Sequence, residues 1–332
     1  MRYINIEEAK PGDIVAKSIY GLDRRPLITD GMVLTDRYIE RLKEFGVYGL
    51  YIVDPDLEGV EIEQGLDEQF KLEAMDRLQK IFAEVQKNNR IPAKAAVNLA
   101  NEITDLILAK RDFIVQLKDI RFKQTYLYSH SINVTMLAVL TAKGLGYNLI
   151  NIKKVAVGAL LHDIGYMRTA DPSAHPLAGF EILRREDEIP LLSSHIVLQH
   201  HEAIDGSGSP FKISGDQVRD AAQICAVCND YDHLVNAVED AKLPHESIEY
   251  VMAQADHKYR VDIVRAFVHN IAPYPIGTSV KLSNGQEGKV VHVHHGLPMR
   301  PMVRLKNGDV LDLQDEKTLF VAEVLKTQEL KI

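Results

Sequence analysis

The sequence predicts a mainly α fold with a small β-rich unit at each end. Three patterns carry that expectation. Between about residues 66 and 120 apolar side chains recur at helical spacing, as Leu78, Ile81, Phe82 and Val85 do. From Ser129 to Leu145 the chain is apolar nearly all round, the mark of a helix buried on every side. Before about residue 60, and again beyond Pro273-Tyr274-Pro275, the period shortens to brief β-type runs broken by Gly, Pro, Asn and Asp.

Taken in order, Ile14-Val15-Ala16, Leu27-Ile28 and Leu50-Tyr51-Ile52-Val53 read as strand segments. Thr35 to Phe45 reads as one short helix, with Thr35 or Asp36 as its cap and Gly46 closing it. Asn88-Asn89-Arg90-Ile91-Pro92 separates two helices, the second marked by Leu99, Ile103, Leu106 and Ile107. After the buried helix, further helices are expected over about 152–164, 176–186, 190–201, 215–236, 246–255 and 260–270. Val280 to Leu282, Lys289 to Val293 and Met302 to Leu305 read as strands, with Asn284-Gly285 and Asn307-Gly308 as hairpin turns. The expected division is 1–60 (β-rich), 61–120 (a helical linker region), 121–271 (a helical core) and 272–332 (a curled or barrel-like sheet).

Composition narrows the function. A chain of 332 residues with 46% hydrophobic and 26% charged residues suits a globular protein with a sizeable core. A net charge of −8 argues against a sequence-blind grip on polymeric nucleic acid, which needs a basic face. Glu7 and Glu8 interrupt any signal-peptide core, and no apolar run approaches the roughly 20 residues of a membrane span. Two cysteines, Cys225 and Cys228, make no disulfide framework, so a cytoplasmic location is expected. Their spacing inside an apolar helix reads as buried packing. His292, His294 and His295 read as the end of a solvated strand.

The chemistry is concentrated between residues 160 and 211. His162-Asp163 and His200-His201 are adjacent pairs of ligand-type side chains, with His175 between them. Imidazole with carboxylate suits iron, manganese, zinc or nickel. Neighbouring residues on a helix point about 100° apart, so an adjacent pair can serve two ions side by side. A two-ion site suits displacement at phosphorus. His130, at the start of the buried helix, and Asn229, Asp230 and Asp232 on a later helix complete the set of candidates.

In Tyr128-Ser129-His130-Ser131, Leu161-His162-Asp163-Ile164-Gly165, His175-Pro176-Leu177-Ala178-Gly179 and His200-His201-Glu202 with Asp205-Gly206-Ser207-Gly208, the chain resembles the HD-GYP group of the HD phosphohydrolase superfamily. The resemblance covers roughly residues 120–270 and implies an HD-superfamily helical bundle. It implies metal ligation by His130, His162, Asp163, His175, His200 and His201, with Asn229 or Asp230 completing the shell. Asp163 is the implied bridge between two ions, iron or manganese first, zinc or nickel otherwise. Together His162 and Asp163 form the implied catalytic pair, and Tyr166, Asp205 and Ser209 mark the implied substrate positions.

The implied reaction is metal-dependent hydrolysis of cyclic di-GMP to linear pGpG, and onward to GMP. The expected ligand is a cyclic dinucleotide, and a homodimer or a signalling-protein partner is left open. Departures from the family pattern are specific. Ser209 replaces the aromatic of Gly-Tyr-Pro, Tyr166 replaces a Lys after the His-Asp pair, and Asn229 replaces a ligating Asp. Tyr126 stands where members with a third metal carry Glu, and Val235-Asn236-Ala237-Val238 replaces Arg-Pro-Tyr. His233, four residues past Asn229, is a candidate substitute ligand. These departures keep two alternatives in view: a catalytically weak regulatory or binding protein, and a phosphohydrolase for another phosphoester.

Overall fold

The computed structural model describes residues 1–21, 25–60, 66–110, 115, 125–236 and 241–325. They divide into two compact units. One holds the described residues of 65–115 and 125–270; the other joins those of 1–64 to those of 271–332. The expected segment Val235 to Val238 lies partly outside the described residues.

The larger unit is helical. Its first helices in chain order are α2 (Glu68–Asn88) and α3 (Ala93–Ala109), following α1 (Asp36–Glu44) in the other unit. Asp67 caps α2 by accepting the N–H groups of Gln69 and Phe70, and Asn89 ends it in the left-handed region at φ 60°. Helix α4 (Tyr126–Gly144) is the axis: α2, α3, α5 (Leu149–Leu160), α8 (Asp220–Asn236) and α10 (Val261–Val268) all pack on it. That explains its apolar residues on every face, with Ile132, Val134, Ala138 and Val139 fully buried. Helices α6 (His175–Leu183), α7 (Leu191–Gln199) and α9 (Pro244–Ala253) complete the bundle.

Several helices stop earlier than expected, α6 at Leu183, α9 at Ala253 and α10 at Val268 among them, and two of the early ends shape the histidine motifs. The segment expected to run to 164 ends at Leu160, and the one expected to reach 201 ends at Gln199. The reason is chemical. In a continuing helix the Ala159 carbonyl would accept from residue 163 and the Val197 carbonyl from residue 201. Instead Ala159 O is 2.7 Å from His162 Nδ1, and Val197 O is 2.8 Å from His200 Nδ1. The rings take over the helix-end acceptors. His162 and Asp163 therefore lie in a turn leading to a 3-10 helix (Ile164–Met167), not on the last turn of α5.

The smaller unit is built from both ends of the chain. Strand β1 (Arg2–Asn5) pairs antiparallel with β4 (Gly49–Ile52), and β2 (Ile19–Tyr20) with β3 (Pro26–Ile28). Helix α1 (Asp36–Glu44) has Thr35 as its cap, accepting from the Tyr38 N–H, and Gly46 follows at φ 75°. Ile14-Val15-Ala16 makes only isolated bridges, to Val33 and Ile52. The C-terminal strands β5 (Ser279–Leu282), β6 (Glu287–His292), β7 (Met302–Leu305), β8 (Val310–Asp312) and β9 (Val321–Val324) form one antiparallel sheet, in the order β8-β7-β6-β5-β9. Asp54, only 6% exposed, receives Lys289 Nζ at 2.9 Å on each oxygen, so a buried ion pair ties Asp54 to β6. Arg2 Nε, 3.6 Å from Asp54 Oδ2, and Asp56 Oδ2, 2.5 Å from Lys289 Nζ, extend the pair into a small charge network.

Candidate metal centre

Five side chains converge inside the helical unit. His130 comes from α4, His162 and Asp163 from the turn after α5, His175 from the start of α6, and His200 from the end of α7. All five are buried, and His201 beside them is partly so. Close backbone approach makes this possible. A Cβ at Gly165 would fall 1.9 Å from the His175 carbonyl oxygen, so only glycine lets the turn lie against the start of α6. At Gly208 a Cβ would fall 2.4 Å from the Ala203 nitrogen and the Glu202 Cα. The loop after His201 is thereby folded back onto the His-His pair.

The ring orientations follow from their outer partners. His162, His175 and His200 each place Nδ1 2.7–2.8 Å from the carbonyl oxygen three residues earlier: Ala159, Pro172 and Val197. A carbonyl only accepts, so each Nδ1 carries the proton and each Nε2 presents a lone pair inward. His130 does the same through a carboxylate, with Nδ1 2.7 Å from Asp232 Oδ2.

The inward atoms fall into two groups. His130 Nε2 lies 3.2 Å from His162 Nε2, and His175 Nε2 lies 3.2 Å from His200 Nε2. Asp163 stands between them. Its Oδ2 is 3.3 Å from His162 Nε2 and 3.9 Å from His130 Nε2. Its Oδ1 is 3.3 Å from His175 Nε2 and 3.9 Å from His200 Nε2. Potential ligand atoms of His130, His162 and Asp163 lie within 4.8 Å of one another, as do those of His175, His200 and His201.

This donor set fits metal ions. Lone pair faces lone pair at about hydrogen-bond distance, beside a buried carboxylate, and only a proton or a cation reconciles such acceptors. The electrostatics bear that out. Burial would raise the Asp163 carboxyl, but His162, His175 and His130 outweigh it and hold the group well below the carboxylate range. Burial, then His201 and His162, pushes His200 well below the usual imidazole value. Burial, then His175, lowers His201 to about 4. For His130 burial acts downward, yet the Asp232 hydrogen bond and charge prevail and raise it.

The other candidates are placed as follows. Asn229 Oδ1 lies 2.9 Å from His130 Nε2, inside the first group. The carboxylate of Asp230, its neighbour on α8, accepts from Lys258 Nζ and the Tyr259 hydroxyl. Tyr166 lies flat on the His175 ring, centroids 4.1 Å apart and 13° from parallel. Asp205 is exposed and its Oδ1 accepts the Ser207 N–H, an Asx turn at the loop tip. Ser209 donates its N–H to the His201 carbonyl at 2.9 Å. His233 stacks on His130 with centroids 4.3 Å apart, and its Nδ1 meets the Tyr126 hydroxyl at 2.9 Å.

Sequence reasoning named Asp232 only as one of three candidates on its helix, and it did not single out Phe211. Asp232 sits three residues past Asn229 on α8, a spacing that shares a helix face and offered the signal. Phe211 is 54% exposed while its N–H is anchored at 2.7 Å to the buried Glu202.

Buried histidines and an aspartate gathered at helix ends make a donor set that could hold divalent metal ions. Residues 127–237 match the family model described as "HD domain", and residues 279–332 match "KOW domain associated with HD domain". Similar curated proteins include the cyclic di-GMP phosphodiesterase PA4108 of Pseudomonas aeruginosa, 27% identical over 243 residues, covering 68% of this chain and 58% of that protein. The cyclic di-GMP phosphodiesterase PdeB of Borreliella burgdorferi is 23% identical, covering 62% of this chain and 60% of the relative. A solved structure, Bd1817, an HDG"Y"P protein from Bdellovibrio bacteriovorus, aligns with a TM-score of 0.48 at 15% identity, over 80% of this chain and 97% of that one. The chain spans about three-fifths of the length of the curated relatives named here. The histidine and aspartate motifs gathered at this centre lie within the stretch that matches the HD domain model. No helix among the described residues is long and apolar enough to cross a membrane.

Proposed function

We propose that this chain is a metal-dependent phosphodiesterase that opens cyclic di-GMP to linear pGpG, with GMP as the product of a second cut. The observation that carries the reading is Asp163, whose two oxygens each face a separate group of histidine Nε2 atoms. Similarity to named cyclic di-GMP phosphodiesterases supplies the substrate class. His130, His162 and Asp163 with Asn229 would hold one divalent ion, and His175, His200, His201 and Asp163 the other, with iron or manganese the first choice. Two bound cations would neutralise phosphate charge and lower the pKa of an attacking water.

The protein's own contribution is preorganisation. Carbonyl and carboxylate partners lock the rings before any ligand arrives, so little reorganisation accompanies charge development. Tyr166 covers the outer face of His175 and excludes water from it. Phe211, exposed on the anchored loop after His201, offers an aromatic face for a base, at a position two residues beyond Ser209. Two buried free cysteines support a reducing compartment, the cytoplasm.

A second reading, binding with weak turnover, is favoured by Tyr166 and Asn229, which supply no charge where the family pattern has it. The deciding experiment is cyclic di-GMP hydrolysis followed by chromatography, with protein loaded anaerobically with iron or manganese. Metal-dependent product that disappears in the His162→Ala/Asp163→Ala control establishes the enzyme. No product from protein holding two ions per chain rejects it and leaves the binding reading.

A further inference from the structure

Three of the four ring-locked histidines are held by backbone carbonyls, and His130 alone is held by a side-chain carboxylate. That carboxylate is itself built in. Asp232 is 2% exposed, and its Oδ1 accepts from Asn133 Nδ2 at 3.0 Å and from Asn236 Nδ2 at 2.5 Å. Two amides pin one oxygen, which fixes the other toward His130 Nδ1 at 2.7 Å. Lys71 in turn donates to Asn133 Oδ1 at 2.9 Å, so the chain of contacts runs from α2 through α4 to α8.

The same ring meets Asn229 Oδ1 on its inward side. A neutral amide there contributes no formal charge to an ion, whereas a carboxylate one bond further out makes the intervening imidazole a stronger donor. Asp232 sits beside the only residue of the cluster held in this way, three residues along α8 from that neutral amide.

We propose that Asp232 is the positioning residue of the half-site formed by His130, His162 and Asp163: it fixes His130 Nε2 as the ligand atom and supplies, through the ring, the anion that Asn229 lacks. The inference rests on the metal-binding part of the function proposed above, but on neither its substrate nor its turnover. The half-site of His175, His200 and His201 is independent of Asp232, because the outer partners of His175 and His200 are carbonyls and cannot be ionised.

The test uses the full chain, stripped of metal and titrated with Mn(II) or Zn(II) against a chromophoric chelator, which resolves two affinities. The isosteric Asp232→Asn variant should weaken one affinity about 10–100-fold and leave the other unchanged. Histidine 15N spectra of the metal-free protein, at a pH where the rings are neutral, should show one ring losing its Nδ1–H tautomer while three keep theirs. Adding Asn229→Asp to Asp232→Asn should restore much of the lost affinity. Should Asp232→Asn not fold, Asn133→Ala, which only loosens the carboxylate, should weaken the same single affinity by less. Both affinities falling together, neither falling, or an unaltered His130 tautomer would overturn the proposal. None of these readouts depends on cyclic di-GMP, so a failed turnover assay leaves the test intact.

Discussion

In the half of the centre made by His175, His200 and His201, every outer partner of known geometry is a backbone carbonyl, and burial drives His200 and His201 toward the neutral form. In the half made by His130 and His162, a buried carboxylate and one asparagine meet one ring, which is pushed toward the charged form. Both halves share Asp163. The contrast shows two ways of presenting Nε2: one from main-chain geometry set by helix ends, the other from a side-chain network. A main-chain lock survives most substitutions; a side-chain lock can be removed by one.

The largest expected effect comes from the residue common to both. Asp163→Asn should lower the metal content of both halves and cut turnover by about 10³-fold, the upper range for loss of one electrostatic group. Metal analysis beside the chromatographic assay checks it. Loss confined to one half would mean that the carboxylate does not bridge.

Gly165→Ala should separate the halves. Its Cβ would meet the His175 carbonyl, a backbone atom that cannot rotate away, so α6 must shift. Overpacking of this kind costs about 3 kcal/mol, read as a lowered urea midpoint. The His175 half should lose affinity first, while the His130 half, reached from α4, keeps more of its own. Equal loss in both would show that the turn moves as a whole.

Much of this centre was legible in the sequence because its residues sit in contiguous motifs. His162-Asp163, His200-His201 and the glycines beside them are local statements about helix ends and close approach. The central helix was equally legible, since a run apolar on all faces has no place but the middle of a bundle. Less accessible was whatever depended on pairing distant segments. Strand β1 finds β4 nearly fifty residues later, and β8 and β9 are short and half-exposed, without an alternating signal. The joining of both chain ends through Asp54 and Lys289, 235 residues apart, has no local signature at all. Helix ends were overrun for a related reason: periodicity does not reveal that an imidazole will take the carbonyl the next turn needs.

The two halves should also respond oppositely to pH in metal-free protein. His201 drops from the ordinary 6.5 to about 4 on folding, so between those values the unfolded chain holds more protons. Stability is then full above pH 6.5 and falls as pH drops through about 4. His130 is raised on folding, so its contribution is full below 6.5 and is lost as pH climbs through the folded value. Each proton is worth at most about 1.4 kcal/mol per pH unit, and less for the partly exposed His201. Urea unfolding across pH 4–9 should give a stability maximum near neutrality. His201→Ala should flatten the acid limb and His130→Ala the alkaline limb; limbs that respond to the opposite variant would reverse the assignment of charge.

The smallest effect distinguishes the neighbours Asn229 and Asp230, either of which the motif alone allowed as the last ligand. Asn229 Oδ1 already touches His130 Nε2, so Asn229→Asp adds a charge inside that half and should tighten it about 10-fold, or roughly 1.4 kcal/mol. Asp230 is engaged elsewhere, by Lys258 and by Tyr259, whose hydroxyl is held strongly protonated by burial and then by the Asp230 charge. Asp230→Asn keeps an acceptor for Tyr259 and gives up a partly exposed ion pair, which costs about 0.5–1 kcal/mol of stability. Both metal affinities should stay within about threefold by chelator competition, a change below 1 kcal/mol. A larger loss in the His201 half would mean that Asp230 leaves Lys258 to join the ion there, and the two halves would then each own a carboxylate from α8.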